Sequence, residues 1–335
     1  MAQGGPAGDH AREGPLSDNV AHSLAGWALS RTAGEERPRG TTLALVLASN
    51  LPDIDVVLMA RSDAAYLLFH RGLTHSFLGL LVLPPLLALA LWWGLGKRTR
   101  LAWLLGLTWL GAALHVLYDL LTSWGTMLLY PFSFARLSLD WIFIVDPVTW
   151  LAPIMALVVA WRRPARSRAA ALAFLACVGA WAALSGAVHA AAVREVARAD
   201  RAAGRDVREA FAFPAPGSPW RWRGFAVAPA ESLEVARYAV SGLPPAARDP
   251  AFVARGFGDP WVARALDTRA GQAYLWWAEV PVASVDSTGS SGAVTVSLAD
   301  LRYVRSVVPT AELWSPFSLR ITFDRATGEL REVRW

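Results

Sequence analysis

The chain has 335 residues, 54% of them hydrophobic, and its 32 basic and 27 acidic side chains leave a formal charge of +5. This apolar fraction exceeds the ~45–50% that is typical of soluble domains, and it concentrates between Thr41 and Ala192, which argues against a wholly soluble protein. One cysteine, Cys177, excludes a disulfide or a cysteine-based metal site within the chain. The basic residues are scattered or lie in short loops beside apolar segments, so no nucleic-acid partner is expected.

The first residues predict a tail and a short apolar stretch. Residues 1–16 are rich in glycine, proline and alanine, and they lack the basic start and apolar core of a signal peptide. We expect them to form a flexible tail. Ser17–Ser30 follows as an apolar stretch that carries His22, and whether it crosses a membrane is left open.

Longer apolar segments come next. A helix needs about 20 residues to cross a bilayer. Four segments meet this length: Ser76–Gly96, Leu101–Leu121, Trp141–Trp161 and Ala169–Ala192. Thr41–Met59 is a fifth candidate, although polar residues interrupt its second half. We therefore predict a mainly α fold, in which residues 17–192 form a polytopic helical membrane bundle with four or more spans.

Basic loops indicate the orientation of these spans. They contain Arg31, Arg37 and Arg39, then Lys97, Arg98 and Arg100, and finally Arg162, Arg163, Arg166 and Arg168. The positive-inside rule places all three loops in the cytoplasm. The last span then runs outward, and the C-terminal region is expected outside the cytoplasm.

Residues 193–335 are predicted to form this extracytoplasmic domain, soluble and β-rich (α+β). Val193–Ala210 is charged and is expected to be helical. Strand-like runs follow at Trp220–Ala228, Leu233–Val240, Ala273–Val285, Ala293–Leu298, Ser318–Phe323 and Leu330–Trp335. The segment Asp324–Gly328 is typical of a hairpin turn.

Ionisable residues inside membrane segments are costly and usually mark a functional site. Besides His22, they are Asp53, Asp55, His70, His75, His115, Asp119, Asp140 and Asp146, all expected towards the outer face. His115 and Asp119 are four residues apart and therefore share one helical face. Imidazole together with carboxylate suits Zn²⁺, Mn²⁺ or Fe²⁺, whereas Ca²⁺ prefers oxygen ligands. A metal site is favoured, with a structural polar network as the alternative.

Two neighbouring polar groups have simpler interpretations. Thr74 and Ser76 are expected to cap the helix that follows them. Arg71 lies at the outer end of its span, where a role as a positive-inside anchor is weak. An anion-binding role is therefore favoured for Arg71, and the anchor role stays open.

At these residues the sequence resembles the membrane-bound metal-dependent hydrolases of bacterial inner membranes. The shared features are an early His (His22), Asn50–Asp55, His70–Ser76, His115–Asp119, Thr122–Thr126 and Leu139–Pro147. The resemblance covers roughly residues 18–190. That family is similar, more distantly, to zinc-dependent phospholipase C and to single-strand-specific zinc nucleases, which implies phosphoester hydrolysis by analogy. The additional His and Asp ligands expected further along in those enzymes are not evident here.

The resemblance implies a multi-pass hydrolase of the bacterial cytoplasmic membrane that acts at its outer face. The implied metal ligands are His22, Asp53, His75, His115 and Asp119. Asp55 or His70 would be the general base, and Arg71 would bind an anion. The implied cofactor is a divalent ion, with Zn²⁺ favoured over Mn²⁺ and Fe²⁺.

The implied partners are membrane lipid and a lipid or lipid-linked substrate. The alternative function is a non-catalytic metal-binding membrane protein or a transporter, and the oligomeric state is left open.

Overall fold

The computed structural model describes residues 16–34, 36–60, 62–215, 220–228, 234–288, 292–304, 315 and 317–335. The predicted tail lies outside these residues, apart from Leu16, which begins the first helix. The described chain forms a helical part followed by two antiparallel sheets. This arrangement confirms the predicted fold class.

The helical part consists of seven α-helices and three 3₁₀ segments in the described residues. They are α1 (Leu16–Thr32), α2 (Thr41–Ala48), 3₁₀ Pro52–Ala60, α3 (Asp63–Phe69), 3₁₀ Leu73–His75, α4 (Phe77–Gly94), α5 (Leu101–Leu120), α6 (Pro147–Arg162), 3₁₀ Pro164–Arg166 and α7 (Ser167–Ala202). As expected, Ser76 caps α4, because its hydroxyl accepts a hydrogen bond from the Gly79 amide at 3.1 Å.

Three described helices are long and apolar enough to cross a membrane: α4, α5 and the unit Pro164–Ala202. A fourth is possible if α2 and the following 3₁₀ segment, bent by 47°, count as one span. The predicted span Trp141–Trp161 is shorter than expected, since α6 has 16 residues. Its helix begins only at Pro147 because Asp146 caps it, accepting hydrogen bonds from the amides of Val148 and Thr149.

Two of the basic loops meet at one end of the helices. The Thr99 hydroxyl donates to the Arg39 carbonyl at 2.8 Å, which joins the loop before α2 to the loop between α4 and α5. At 1.5 Å per residue, the 20 residues of α5 span about 30 Å. The start of α4 and the end of α5 therefore lie far from these basic residues.

The C-terminal part contains two four-stranded antiparallel sheets, in the orders β1-β2-β3-β4 and β5-β6-β7-β8. The elements are β1 (Glu209–Pro214), β2 (Arg221–Val227), β3 (Glu234–Ser241), β4 (Ala246–Ala254), α8 (Pro260–Leu266), α9 (Arg269–Trp277), β5 (Pro281–Asp286), β6 (Ala293–Asp300), β7 (Leu319–Asp324) and β8 (Leu330–Arg334). The predicted strand Ala273–Val285 is wrong in its first half. Thr268 caps a helix there by accepting from the Gly271 amide, and Tyr274 and Trp277 are buried on one face of that helix.

The two parts of the chain contact each other at the end away from the basic loops. Helix α7 continues without a break beyond residue 192, and its Val196 packs against Trp222 and Tyr238 of the first sheet. Near the end of α5, the Ser123 carbonyl accepts hydrogen bonds from Arg302 at 2.7 Å and from Tyr303 at 3.1 Å. Burial raises the pKa of Tyr303 to about 12, so its hydroxyl remains a donor. Separate folding of residues 193–335 stays a prediction.

Arg302→Gln should destabilise the contact between the two parts. Arg302 is buried and pairs with the buried Asp300 carboxylate at 2.8 Å. Removing its charge leaves that carboxylate uncompensated, at a cost of about 3–5 kcal/mol. We expect a lower melting temperature in detergent by differential scanning fluorimetry. The exposed Arg334 pairs with Glu332, so Arg334→Gln is the control and should change stability by less than ~0.5 kcal/mol. Equal effects of the two substitutions would contradict the interpretation.

Candidate metal centre

Glycines allow the helices that carry two of the site histidines to pack closely. A Cβ on Gly111 of α5 would lie 2.8 Å from the Cβ of Ala48 in α2, and a Cβ on Gly26 of α1 would lie 2.8 Å from the Leu45 carbonyl oxygen. His115 comes one turn after Gly111, and His22 one turn before Gly26. Both imidazoles therefore lie where α1, α2 and α5 meet.

Four ligand atoms from three separate segments converge beside this contact. The Nε2 atom of His75 lies 3.3 Å from Asp53 Oδ1, 3.1 Å from Asp119 Oδ2 and 3.2 Å from His115 Nε2. The Nε2 atom of His115 lies 3.4 Å from Asp53 Oδ1 and 3.3 Å from Asp119 Oδ2. A tetrahedral Zn²⁺ with ligands at about 2.0–2.2 Å requires ligand atoms about 3.3–3.6 Å apart. These five separations are therefore close to those in a four-coordinate metal shell, and the atoms of Asp53 and Asp119 lie within 4.8 Å of each other.

Hydrogen bonds at the other ring nitrogens direct both Nε2 lone pairs into this group. His115 Nδ1 lies 2.7 Å from the Ser49 carbonyl oxygen, which can only accept, so this nitrogen carries the proton. His75 Nδ1 lies 3.0 Å from the Thr74 hydroxyl, which donates its own hydrogen to Asp55 Oδ2 at 2.9 Å. His75 Nδ1 is therefore also a donor. Such bonds to the outer nitrogen are typical of metal-bound histidines.

The charge of the site would suit a divalent cation. All four ligand residues are buried, and so is Asp55. Three carboxylates, of Asp53, Asp55 and Asp119, carry −3, and the buried guanidinium of Arg71 lies 2.9 Å from Asp119 Oδ1 and contributes +1. The sum of −3 and +1 is −2, which a divalent ion neutralises. A proton on one imidazole would leave the other lone pairs and most of this charge uncompensated, and uncompensated buried charge is costly.

Asp55 and His70 form a second pair next to the metal group. His70 Nδ1 lies 2.8 Å from Asp55 Oδ1, and Asp55 Oδ2 accepts from the Arg71 amide at 3.1 Å as well as from Thr74. Ligand atoms of Asp53, Asp55 and His70 lie within 4.8 Å of one another. These three residues are 6–7% exposed, whereas His75, His115 and Asp119 are 0–1% exposed. The site is therefore least deeply buried on the side of Asp53, Asp55 and His70.

The fifth predicted ligand, His22, lies beside this group of four. Its ring stacks on His115 with the centroids 3.8 Å apart, and its Nε2 lies 3.6 Å from Asp119 Oδ1. Arg71 donates to the Asp119 carbonyl at 3.2 Å and to the Thr122 hydroxyl at 2.7 Å. The ligand role of His22, the general-base roles of Asp55 and His70 and the anion-binding role of Arg71 all stay predictions.

Sequence reasoning missed several supporting groups. Thr74, expected as a cap, instead connects Asp55 to His75. Arg136 donates to the carbonyls of Leu68 at 2.8 Å and Gly125 at 3.2 Å. These hydrogen bonds connect the end of α3, just before His70, to the segment that follows α5. The Ser49 carbonyl could not be recognised, because a backbone acceptor leaves no mark in the residue type. Asp140 is buried outside the group of four, and Asp146 is a helix cap.

Comparison with known proteins supports a membrane location. Residues 18–190 match the family described as YdjM inner membrane protein, and this range contains every predicted site residue. The uncharacterized protein YfhP of Bacillus subtilis (strain 168) is 31% identical over 118 residues. That alignment covers 35% of this chain and 36% of YfhP, so the chain matches about a third of the length of this curated relative. No solved structure matches.

The purified protein should contain one tightly bound divalent ion per chain, measured by inductively coupled plasma mass spectrometry. His115→Ala should lose the ion because it removes one of four ligands. His189 lies on α7 and packs against Trp222, so His189→Ala is a matched control that should retain it. Chelation should also lower the melting temperature of the wild type, because the carboxylates then lose their counterion. Equal metal content in the two variants would exclude His115 as a ligand.

Proposed function

The chain belongs to the YdjM inner membrane protein family, and we propose that it is a membrane-embedded metal-dependent hydrolase of a lipid or lipid-linked phosphoester. The observation that carries this proposal is the convergence of four ligand atoms, at separations that suit a metal ion, directly beside the Asp55–His70 pair. The spacing supports a bound metal ion. The adjacent pair supplies what hydrolysis needs in addition, which is a positioned group that accepts a proton.

A divalent ion at this position would polarise a substrate oxygen and lower the pKa of water towards neutrality. His70 is the better candidate for the general base. Asp55 already accepts hydrogen bonds from His70, the Arg71 amide and Thr74, so its oxygens are occupied. Asp55 therefore acts as a positioning residue: it fixes the proton on His70 Nδ1 and leaves Nε2 free to accept another.

Phosphoesters are the favoured substrate class because of the similarity in motif order to zinc phospholipases and nucleases. Analogy supports this substrate class, and the position of the site near the start of α4 and the end of α5 adds a physical reason for a lipid. Arg71 is held by Asp119 and Thr122. The guanidinium of Arg71 therefore orients the Asp119 carboxylate. An anion that bound to Arg71 would contact a guanidinium that already pairs with Asp119 and Thr122.

A non-catalytic metal site is the second candidate, favoured by one observation. Four protein ligands in a tetrahedral arrangement are typical of structural zinc sites, whereas catalytic sites usually keep one position for water. Under this alternative, the ion joins α5 to the segments that carry Asp53 and His75. Metal content does not separate the two functions, because both require the ion. Hydrolysis does separate them.

His70→Ala should reduce hydrolysis of a phosphodiester substrate by about 10²–10⁴-fold, the usual contribution of a general base. It should leave bound metal unchanged, because His70 is outside the group of four. Asp119→Ala and His115→Ala should lose both metal and activity. Activity is measured per folded, metal-analysed protein in detergent, with dioleoylphosphatidylglycerol and bis-p-nitrophenyl phosphate as probes and His189→Ala as control.

The outcome distinguishes the two candidate functions. Metal-dependent turnover by the wild type that chelation abolishes and the ion restores would support the hydrolase. Full activity per folded molecule in Asp119→Ala or His115→Ala would remove that residue from the catalytic site. Bound metal with no turnover on any phosphodiester of a lipid screen would favour the structural site.

We also propose that the C-terminal part lies outside the cytoplasm. The basic loops before α2 and before α5 meet at one end of the helices, and residues 302 and 303 contact Ser123 at the other end. The positive-inside rule assigns the basic end to the cytoplasm.

Fusion of alkaline phosphatase after Trp335 should therefore give an active enzyme, because this reporter folds only outside the reducing cytoplasm. Green fluorescent protein fused at the same position is the matched reporter. It should remain dark, because it would be exported in an unfolded state. A fluorescent fusion together with an inactive phosphatase fusion would reverse the topology.

A further inference from the structure

Exposed apolar side chains stand next to the site residues along the chain. Ile54 lies between Asp53 and Asp55 and is 54% exposed, Phe69 precedes His70, and Leu73 lies two residues before His75. Each segment therefore turns its polar residue into the site and an apolar residue to the outside. Single exposed apolar residues are ordinary on soluble proteins, but a group of them around one site marks an interaction surface.

The loop between α5 and α6 extends this apolar surface. Leu129, Phe132 and Phe134 are exposed, and Phe132 is the most exposed of them at 90%. The Leu129 carbonyl accepts from the Phe132 amide at 2.8 Å, which closes a turn. This turn presents its apolar side chains outward instead of burying them. The six residues Ile54, Phe69, Leu73, Leu129, Phe132 and Phe134 are called the apolar rim.

Backbone hydrogen bonds fix the depth of this loop relative to the helices. The Phe77 amide donates to the Leu128 carbonyl at 2.9 Å, and the Met127 amide donates to the Arg71 carbonyl at 2.9 Å. Phe77 is the first residue of α4, which is long and apolar enough to cross a membrane. The turn that follows Leu128 therefore lies at the level where the apolar span begins.

Aromatic residues with polar groups adjoin the rim, as they do at membrane surfaces. The ring of Tyr130 lies 5.3 Å from that of Phe134, and Trp276 of α9 lies 6.5 Å from Phe134. The Arg136 guanidinium lies 5.2 Å from the Trp276 ring. Trp and Tyr are enriched where the apolar core of a bilayer meets water. Trp276 of the C-terminal part therefore lies beside the apolar rim.

We propose that the apolar rim is inserted among the acyl chains of one leaflet, so that Asp53, Asp55 and His70 lie at the depth of the lipid headgroups. The occupant is membrane lipid because the turn that carries the rim is hydrogen-bonded to the first residue of α4, and the exposed apolar side chains of α4 include Phe77 and Leu81. The hydrocarbon of a bilayer must cover α4 if that helix spans it. This proposal needs no catalytic activity, and it would hold for a structural metal site as well.

Fluorescence quenching by labelled lipids tests the proposal. Cys177→Ser first removes the only native thiol. Phe132→Cys is then introduced, and the new cysteine is labelled with an environment-sensitive nitrobenzoxadiazole dye. The full chain is reconstituted in phosphatidylethanolamine–phosphatidylglycerol vesicles that contain lipids with a nitroxide on the acyl chain. Leu81→Cys on α4 is the membrane control. Ala326→Cys, in the exposed turn between β7 and β8, is the water control.

The Phe132 label should emit at shorter wavelength than the Ala326 label and should be quenched by the acyl-chain nitroxide as strongly as the Leu81 label. Quenching no greater than that of the Ala326 label would overturn the proposal. A blue-shifted label that lipid nitroxide does not quench would also overturn it, since the rim would then contact protein, such as a second copy of the chain. Leu129→Cys provides the same measurement if Phe132→Cys folds poorly.

Discussion

The structure depends on the confinement of four Lewis-basic atoms in a buried volume where they repel one another. The Nε2 atoms of His75 and His115 lie 3.2 Å apart, and carboxylate oxygens lie within 3.4 Å of each nitrogen. A bound cation would convert these repulsions into attractions to Asp53, His75, His115 and Asp119. Since the ligands come from three segments of the chain, the same ion would join those segments, which explains how costly polar residues can be retained at the edge of a membrane domain.

Packing around the site restricts the ligands before any ion binds. Gly26 and Gly111 let α1 and α5 approach α2, and the Ser49 carbonyl at the end of α2 then orients His115. Arg71 contacts Asp119 Oδ1, the carboxylate oxygen that is not in the group of four. A preorganised set of ligands loses little conformational entropy on binding, which favours high metal affinity. The same rigidity would serve either catalysis or a structural role, so turnover alone distinguishes the two functions.

The sequence could predict those features that follow from the regular geometry of a helix, but not those that depend on tertiary packing. His115 and Asp119 could be placed on one face because the helical period is fixed, and in the structure both belong to the group of four. Their convergence with Asp53 and His75 depends on tertiary packing. The sequence suggested it only through their metal-ligand chemistry, their expected place at the outer face and the motif resemblance. The run from Tyr274 to Trp277 resembles a strand in composition, but the Thr268 cap makes it helical. Asp146–Pro147 similarly shortened a predicted span.

The coordination of the bound metal tests the central claim most directly. Extended X-ray absorption fine structure of the purified, metal-loaded protein should show about four nitrogen and oxygen neighbours at about 2.0–2.2 Å. The outer-shell scattering should correspond to two imidazole rings, from His75 and His115, with a third if His22 also binds. A sulfur neighbour, or the absence of imidazole scattering from a stoichiometric ion, would contradict the assignment of Asp53, His75, His115 and Asp119 as the metal centre.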